Sequence, residues 1–216
     1  MAERLLIKVD GTHTVSGLLQ VPESATACLV LAHGTGAGME RPFMAAVANG
    51  LHARRMAALR YQFPYMEQRL KRPDGPPLAH STVRAAVRTA GHLVPSLPTF
   101  AGGKSFGGRM TSQAQAEEPL PGIRGLVFLG FPLHQANQPS GSRAEHLLGI
   151  RVPMLFLQGT RDKLADMSLL VPLFERLEPT ATLVSVDDAD HSFHCPARSG
   201  RTDPQVLDEV LDALAG

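Results

Sequence analysis

The sequence predicts an α/β fold in which a mostly parallel sheet of about eight strands is flanked by helices. Three observations carry this. Short runs such as "ACLVLAHG" at 27–34, "GLVFLGF" at 125–131 and "PMLFLQG" at 153–159 hold no charge, as strands buried on both faces do. Segments of helical composition alternate with them along the chain. The 216 residues, 44% hydrophobic and 19% charged, suit one sizeable core. No internal repeat or linker divides the chain, so residues 1–216 read as a single domain.

Taken in order, residues 5–9 and 14–20 form an antiparallel opening hairpin turned at Asp10-Gly11. The run 27–34 is a central strand that ends in glycine. Residues 42–55 are helical, with Pro42 at a first-turn position. A short strand follows from residue 56 and gives way to the Pro-containing "QFPY". Residues 66–77 are charged and proline-rich and read as exposed loop. A helix over 78–94 leads to a strand at "PTFAGG", a sharp turn, and a helix over 105–117. Buried strands at 123–133 and 151–162 come next, then a helix over 167–178. "ATLVSVDDADHSF" supplies the last strand and its loop, and residues 203–214 close the chain as a helix.

A net charge of +1 gives no field that points to nucleic acid or an anionic membrane. Cys28 opens an apolar run and reads as a core residue. Cys195 follows His191 and His194, but a structural zinc site needs four ligands and no second cysteine pair exists. No metal or organic cofactor is expected. "MAERLLIKVDGTHTVSG" lacks the basic and apolar regions of a signal peptide, and no apolar run reaches the roughly 20 residues that cross a bilayer. The expectation is a soluble, cytoplasmic protein with reduced thiols.

The sharp turn "AGGKSFGGRM", 101–110, has two readings. Gly103-Lys104-Ser105 ends like a P-loop, G-x-x-x-x-G-K-[ST], but the first glycine would fall at Pro98, which has no N–H for a phosphate. Gly103 to Gly107 also matches G-x-S-x-G, the nucleophile elbow of α/β-hydrolases. A serine hydroxyl needs a histidine to take its proton, and the imidazolium needs an oriented acid. In that fold the order is serine, acid, histidine. Asp162 falls just beyond the strand "LFLQG", and His191 lies in the loop after the last strand. Ser105, Asp162 and His191 are therefore the expected catalytic residues. Asp187, Asp188 and Asp190 compete for the acid role, but position after a strand favours Asp162.

The glycine-rich "AHGTGAG" after the first central strand offers backbone N–H groups for a developing oxyanion. Its expected donors are the N–H groups of Phe106 and Thr35, with Gly36 as the fallback. His33 is expected to brace this loop, His194 to be structural, Arg109 to pack or ion-pair, and Lys104 to meet solvent or an ion-pair partner.

"AHGTGAGM", "LRYQFPYME", "GGKSFGGRM", "FLGFPLH", "LFLQGTRD" and "DADHSF" together resemble one α/β-hydrolase family. It comprises small bacterial, dienelactone-hydrolase-like enzymes. Its relatives are a testis-expressed vertebrate protein and the third subunit of the animal non-specific-lethal chromatin complex. The resemblance runs from about residue 27 to the end and implies the α/β-hydrolase fold with a Ser105–Asp162–His191 triad. It supplies no substrate, and the chromatin relatives show that the fold also serves as a scaffold.

Residues 131–152 are too few for a helical cap domain, so the mouth should be open. Met39, Phe63, Tyr65, Phe131, Leu133 and His134 are the expected lining of a shallow, partly apolar cleft, with Arg60 a candidate for holding an anionic substrate. The reading is a serine hydrolase acting on a small-molecule ester or thioester, with neither nucleic acid nor membrane as partner. A non-catalytic interaction protein, or dienelactone-type, peptidase or acyltransferase chemistry, are its alternatives. Oligomeric state is not readable.

Overall fold

The computed structural model describes residues 2–216. Its strands are β1 (Glu3–Lys8), β2 (Thr14–Gln20), β3 (Ala27–Ala32), β4 (Met56–Tyr61), β5 (Thr99–Lys104), β6 (Ile123–Leu129), β7 (Met154–Gly159) and β8 (Ala181–Val186). They form one sheet in the order β1-β2-β4-β3-β5-β6-β7-β8. β2 is antiparallel to β1 and to β4, and every other pairing is parallel. This is the expected α/β-hydrolase sheet.

The helices are α1 (Pro42–Ala53), α2 (Pro64–Glu67), α3 (Pro76–Leu93), α4 (Phe106–Glu117), α5 (Met167–Leu177) and α6 (Asp203–Ala215). They cover both sheet faces, and the two-residue period of β3 shows how. Cys28, Val30 and Ala32 join a core with α3, α4 and α5, while Leu29 and Leu31 join a second core with α1 and α6. α3 buries Ala79, Val83, Ala86, Val87 and Ala90, the stripe that a 3.6-residue period gives. α6 starts at a capping box between Thr202 and Gln205. Phe128, Phe131 and Phe156 pack with ring centroids 4.5–5.6 Å apart beneath the ends of β6 and β7. Each ring buried this fully contributes about 1.5–3 kcal/mol.

Two local expectations shift, and one holds. The loop expected over 66–77 is shorter, because α2 takes in residues 64–67 and α3 already begins at Pro76; proline is pre-set for a first helical turn. α4 begins at Phe106 rather than Ser105, whose backbone is not helical. Between β6 and β7 the chain makes an isolated bridge, Gln135 to Gln138, and a 3-10 turn over Ser142–Gly149, with no cap domain. No helix among the described residues is long and apolar enough to cross a membrane.

The parallel strands all end on one edge. Gly34, Gln62, Ser105, Gly130 and Asp162 follow β3, β4, β5, β6 and β7, and the loop after β8 brings His191 to the same edge.

Candidate active site

Ser105 sits between β5 and α4 with φ 51° and ψ −116°, a conformation that non-glycine residues rarely adopt. The turn is pressed against the end of β3. A Cβ at Gly103 would lie 2.3 Å from the Ala32 carbonyl oxygen, and one at Gly107 2.6 Å from that of His33. The small residues flanking the serine thus allow the close approach that lifts its hydroxyl out of the strand.

The hydroxyl meets a histidine. Ser105 Oγ is 2.9 Å from His191 Nε2, and His191 Nδ1 is 2.6 Å from Asp162 Oδ2. An Nδ1–H donated to the carboxylate leaves Nε2 free to accept the serine proton. Asp162 Oδ2 also accepts from Gln158 Nε2 at 2.6 Å, and Oδ1 accepts from the Leu164 N–H at 2.8 Å. Burial pushes the Asp162 pKa up, but the hydrogen bond and charge of His191, the Leu164 N–H and the Lys104 charge outweigh it and hold the carboxyl below its ordinary value. Asp190, by contrast, turns its Oδ1 to the N–H groups of Ser192 and His194 and caps the loop.

Gln158 went unread in the sequence. Its Oε1 accepts the Phe131 N–H at 2.9 Å while its amide donates to Asp162, so it ties the acid to the end of β6. The available signal was a lone buried amide at the end of the apolar strand "MLFLQ".

Lys104 is a correction. It neither points into bulk solvent nor forms an ion pair. As the last residue of β5 it runs under the loop after β8, where Nζ donates to the His191 carbonyl oxygen and lies 5.3 Å from the Phe193 ring centroid and 6.0 Å from that of Phe43. Burial pulls its pKa down to about 8, against the opposing fields of Asp162 and Asp190. Gly130 lies beneath it with φ 67°, a left-handed conformation that favours glycine.

The glycine-rich loop after β3 lies alongside. A Cβ on Gly34 would be 3.6 Å from Ser105 Cβ. Neither the Thr35 nor the Phe106 N–H is committed to a protein acceptor among the described residues. The fallback Gly36 is different: its N–H already donates to the Tyr65 hydroxyl at 2.9 Å. His33 is fully buried, donates from Nδ1 to the Gly34 carbonyl at 2.8 Å, and accepts the Phe63 N–H on Nε2 at 3.1 Å. Burial drives its pKa down to about 4, so the ring is neutral.

Of Met39, Arg60, Phe63, Tyr65, Phe131, Leu133 and His134, expected to line a shallow cleft, His134 contributes to the wall of a cavity beside Asp162, while the others pack against protein. All seven are buried. Phe63 and Tyr65 pack edge-on against Phe106. Phe131 and Leu133 belong to the core under α4 and β7. Arg60 Nη1 donates to the Met39 carbonyl at 3.1 Å, and Gln62 Oε1 accepts the Met39 N–H at 2.8 Å. His134 spends both ring nitrogens, on the Gln135 carbonyl and on the N–H of Asp166. "RYQFPY" is therefore a cradle for the glycine-rich loop: an aromatic-rich segment can serve a loop from behind as readily as it lines a cleft. Arg109 packs over the Phe106 ring at 6.0 Å. Cys195 points its thiol at the Asp187 carbonyl and His194 pairs with Asp203, so these two do not converge with His191 on a common point.

A family model described as an alpha/beta hydrolase domain matches residues 25–216. Solved structures share the fold. A dienelactone hydrolase from Anabaena variabilis is 21% identical with a TM-score of 0.77, covering 100% of this chain and 95% of that one. A lidless α/β serine hydrolase from Xanthomonas campestris is 18% identical with a TM-score of 0.75, over 99% and 93%. Est1E from Butyrivibrio proteoclasticus, solved with ferulic acid bound, is 18% identical with a TM-score of 0.68, over 98% and 100%.

Proposed function

Because the chain belongs to the alpha/beta hydrolase domain family whose model spans it, we propose that it is a serine hydrolase cleaving a carboxylic ester or thioester through an acyl-enzyme on Ser105. One observation carries the reading: a serine on a strained turn lies in line with a histidine and a buried carboxylate, at 2.9 and 2.6 Å. That ordering is what proton removal from an alcohol requires, and it serves no evident packing need.

In this mechanism His191 Nε2 takes the Ser105 proton as Oγ attacks the substrate carbonyl carbon. The negative charge on the carbonyl oxygen falls to the N–H groups of Thr35 and Phe106, and losing one such donor costs about 2.7–4 kcal/mol of barrier. His191 then protonates the leaving alcohol or thiol. Water, deprotonated by the same nitrogen, releases the acyl group. Asp162 keeps the imidazole in the tautomer that this sequence needs. No step calls for a metal or organic cofactor. Kinship with the testis-expressed and chromatin-complex proteins is part of the proposal and rests on the six quoted segments.

A fluorophosphonate probe tests the reading. Intact-mass analysis should show one adduct on the native chain and none on Ser105→Ala, whose ester turnover should fall by about 10⁶-fold. No adduct on the native chain, or one that survives the substitution, refutes it.

A further inference from the structure

In the mechanism above, Lys104 touches neither the substrate nor the proton that moves. That lysine forms part of the wall of a 440 Å³ cavity together with Gly34, Arg41, Phe43, Met44 and Ser192. Gly34, Lys104 and Ser192 are the chain neighbours of Thr35, Ser105 and His191, and Gly34 packs onto Ser105 Cβ. The cavity therefore borders the place where the scissile carbonyl must sit.

Its polar character is one-signed. Arg41 and Lys104 face it, and no carboxylate contributes to its wall. Neither cation has an ion-pair partner within 4.0 Å among the described residues. Glu40, beside Arg41 in the chain, is taken by Arg4. The two carboxylates whose field Lys104 feels are occupied: Asp162 by His191 and Gln158, and Asp190 by the N–H groups of Ser192 and His194. Lys104 commits one of its three donors to the His191 carbonyl, which leaves two. Phe43 and Met44 supply an apolar wall. An apolar pocket with two unpaired cations suits a ligand whose hydrocarbon part ends in an oxyanion, which a guanidinium binds bidentately.

We propose that this cavity is an anion-recognition subsite, and that the natural substrates are esters or thioesters carrying a carboxylate held by Arg41 and Lys104. The inference rests on the serine-hydrolase reading and narrows it to a substrate class.

The test compares kcat/KM within two size-matched pairs: p-nitrophenyl monoadipate against p-nitrophenyl hexanoate, and p-acetoxybenzoate against p-acetoxybenzamide. The native enzyme should favour the anionic member of at least one pair by about tenfold or more, as a charge-assisted contact next to the reacting bond gives. Arg41→Met and Lys104→Met should each lower that ratio by about threefold or more, and Lys104→Arg should keep it. The ratio is the readout because a purely structural defect slows both members alike. If Lys104→Met does not fold, the exposed Arg41 decides alone. An enzyme that takes the probe and hydrolyses neutral esters without preferring the anionic ones overturns the subsite and leaves the hydrolase reading standing. A preference that survives both substitutions overturns the assignment to this cavity. Absence of both labelling and hydrolysis overturns both readings.

Discussion

On one side of Ser105 the geometry runs through side chains: Gln158 holds Asp162, Asp162 meets His191, and His191 meets the serine hydroxyl. On the other side it runs through the main chain. The Thr35 N–H carries no side-chain chemistry of its own, and its loop is held from behind by His33, Arg60, Gln62 and Tyr65. The first half declares itself by residue type, since only certain side chains move protons. The second depends on where a backbone points, and the residues that decide this bind neither substrate nor proton. An aromatic-rich motif beside an active site is thus as apt to be scaffold as lining.

The largest expected effect separates the relay from its acidic neighbours. Asp162→Asn should slow ester turnover by about 10⁴-fold, because the amide favours the wrong imidazole tautomer. Asp190→Asn should leave turnover within about tenfold, since Asp190 caps a loop. The reverse order in a steady-state assay would transfer the acid role.

The next effect tests the brace through stability. His33 Nε2 accepts an N–H, so a proton there would set two donors against each other. A histidine whose folded pKa is depressed to about 4 binds its proton later than the unfolded chain does. Its contribution is intact above the ordinary histidine value and is lost as pH falls from about 6.5 towards 4, amounting to about 3 kcal/mol. Urea unfolding of the native chain and His33→Gln at several pH values reads this. Parallel curves over that window would remove His33 from the account.

The smallest effect asks whether the cradle acts on chemistry. Tyr65→Phe removes the acceptor of the Gly36 N–H, worth about 0.5–1.5 kcal/mol. It should lower kcat about two- to tenfold with KM little changed, because a loosened oxyanion loop weakens the transition state rather than the ground state. A change confined to KM would return Tyr65 to substrate binding.

Much of this was legible beforehand for identifiable reasons. The central strands were readable because burial on both faces strips them of charge. That Ser105, Asp162 and His191 would come together at one edge was readable because a strand end is a place that sequence can locate. Gln158 and Lys104 were not, since each is placed by a contact with a residue far along the chain, Phe131 for the one and His191 for the other. Met39, Phe63, Tyr65, Phe131 and Leu133 were misplaced because hydrophobic composition marks a residue for burial without saying whether core or ligand will bury it.

By itself the sequence determined the strand–helix alternation, the sharp turn around Ser105 and the order of serine, acid and histidine, all of which depend on local pattern and residue chemistry. Tertiary structure alone decided that Lys104 passes beneath His191, that Gln62 and Tyr65 grip the loop carrying Thr35, and that Arg41 shares a cavity with Lys104. Those are contacts between strand ends brought side by side by the order of the sheet. Chain distance carries no trace of that order.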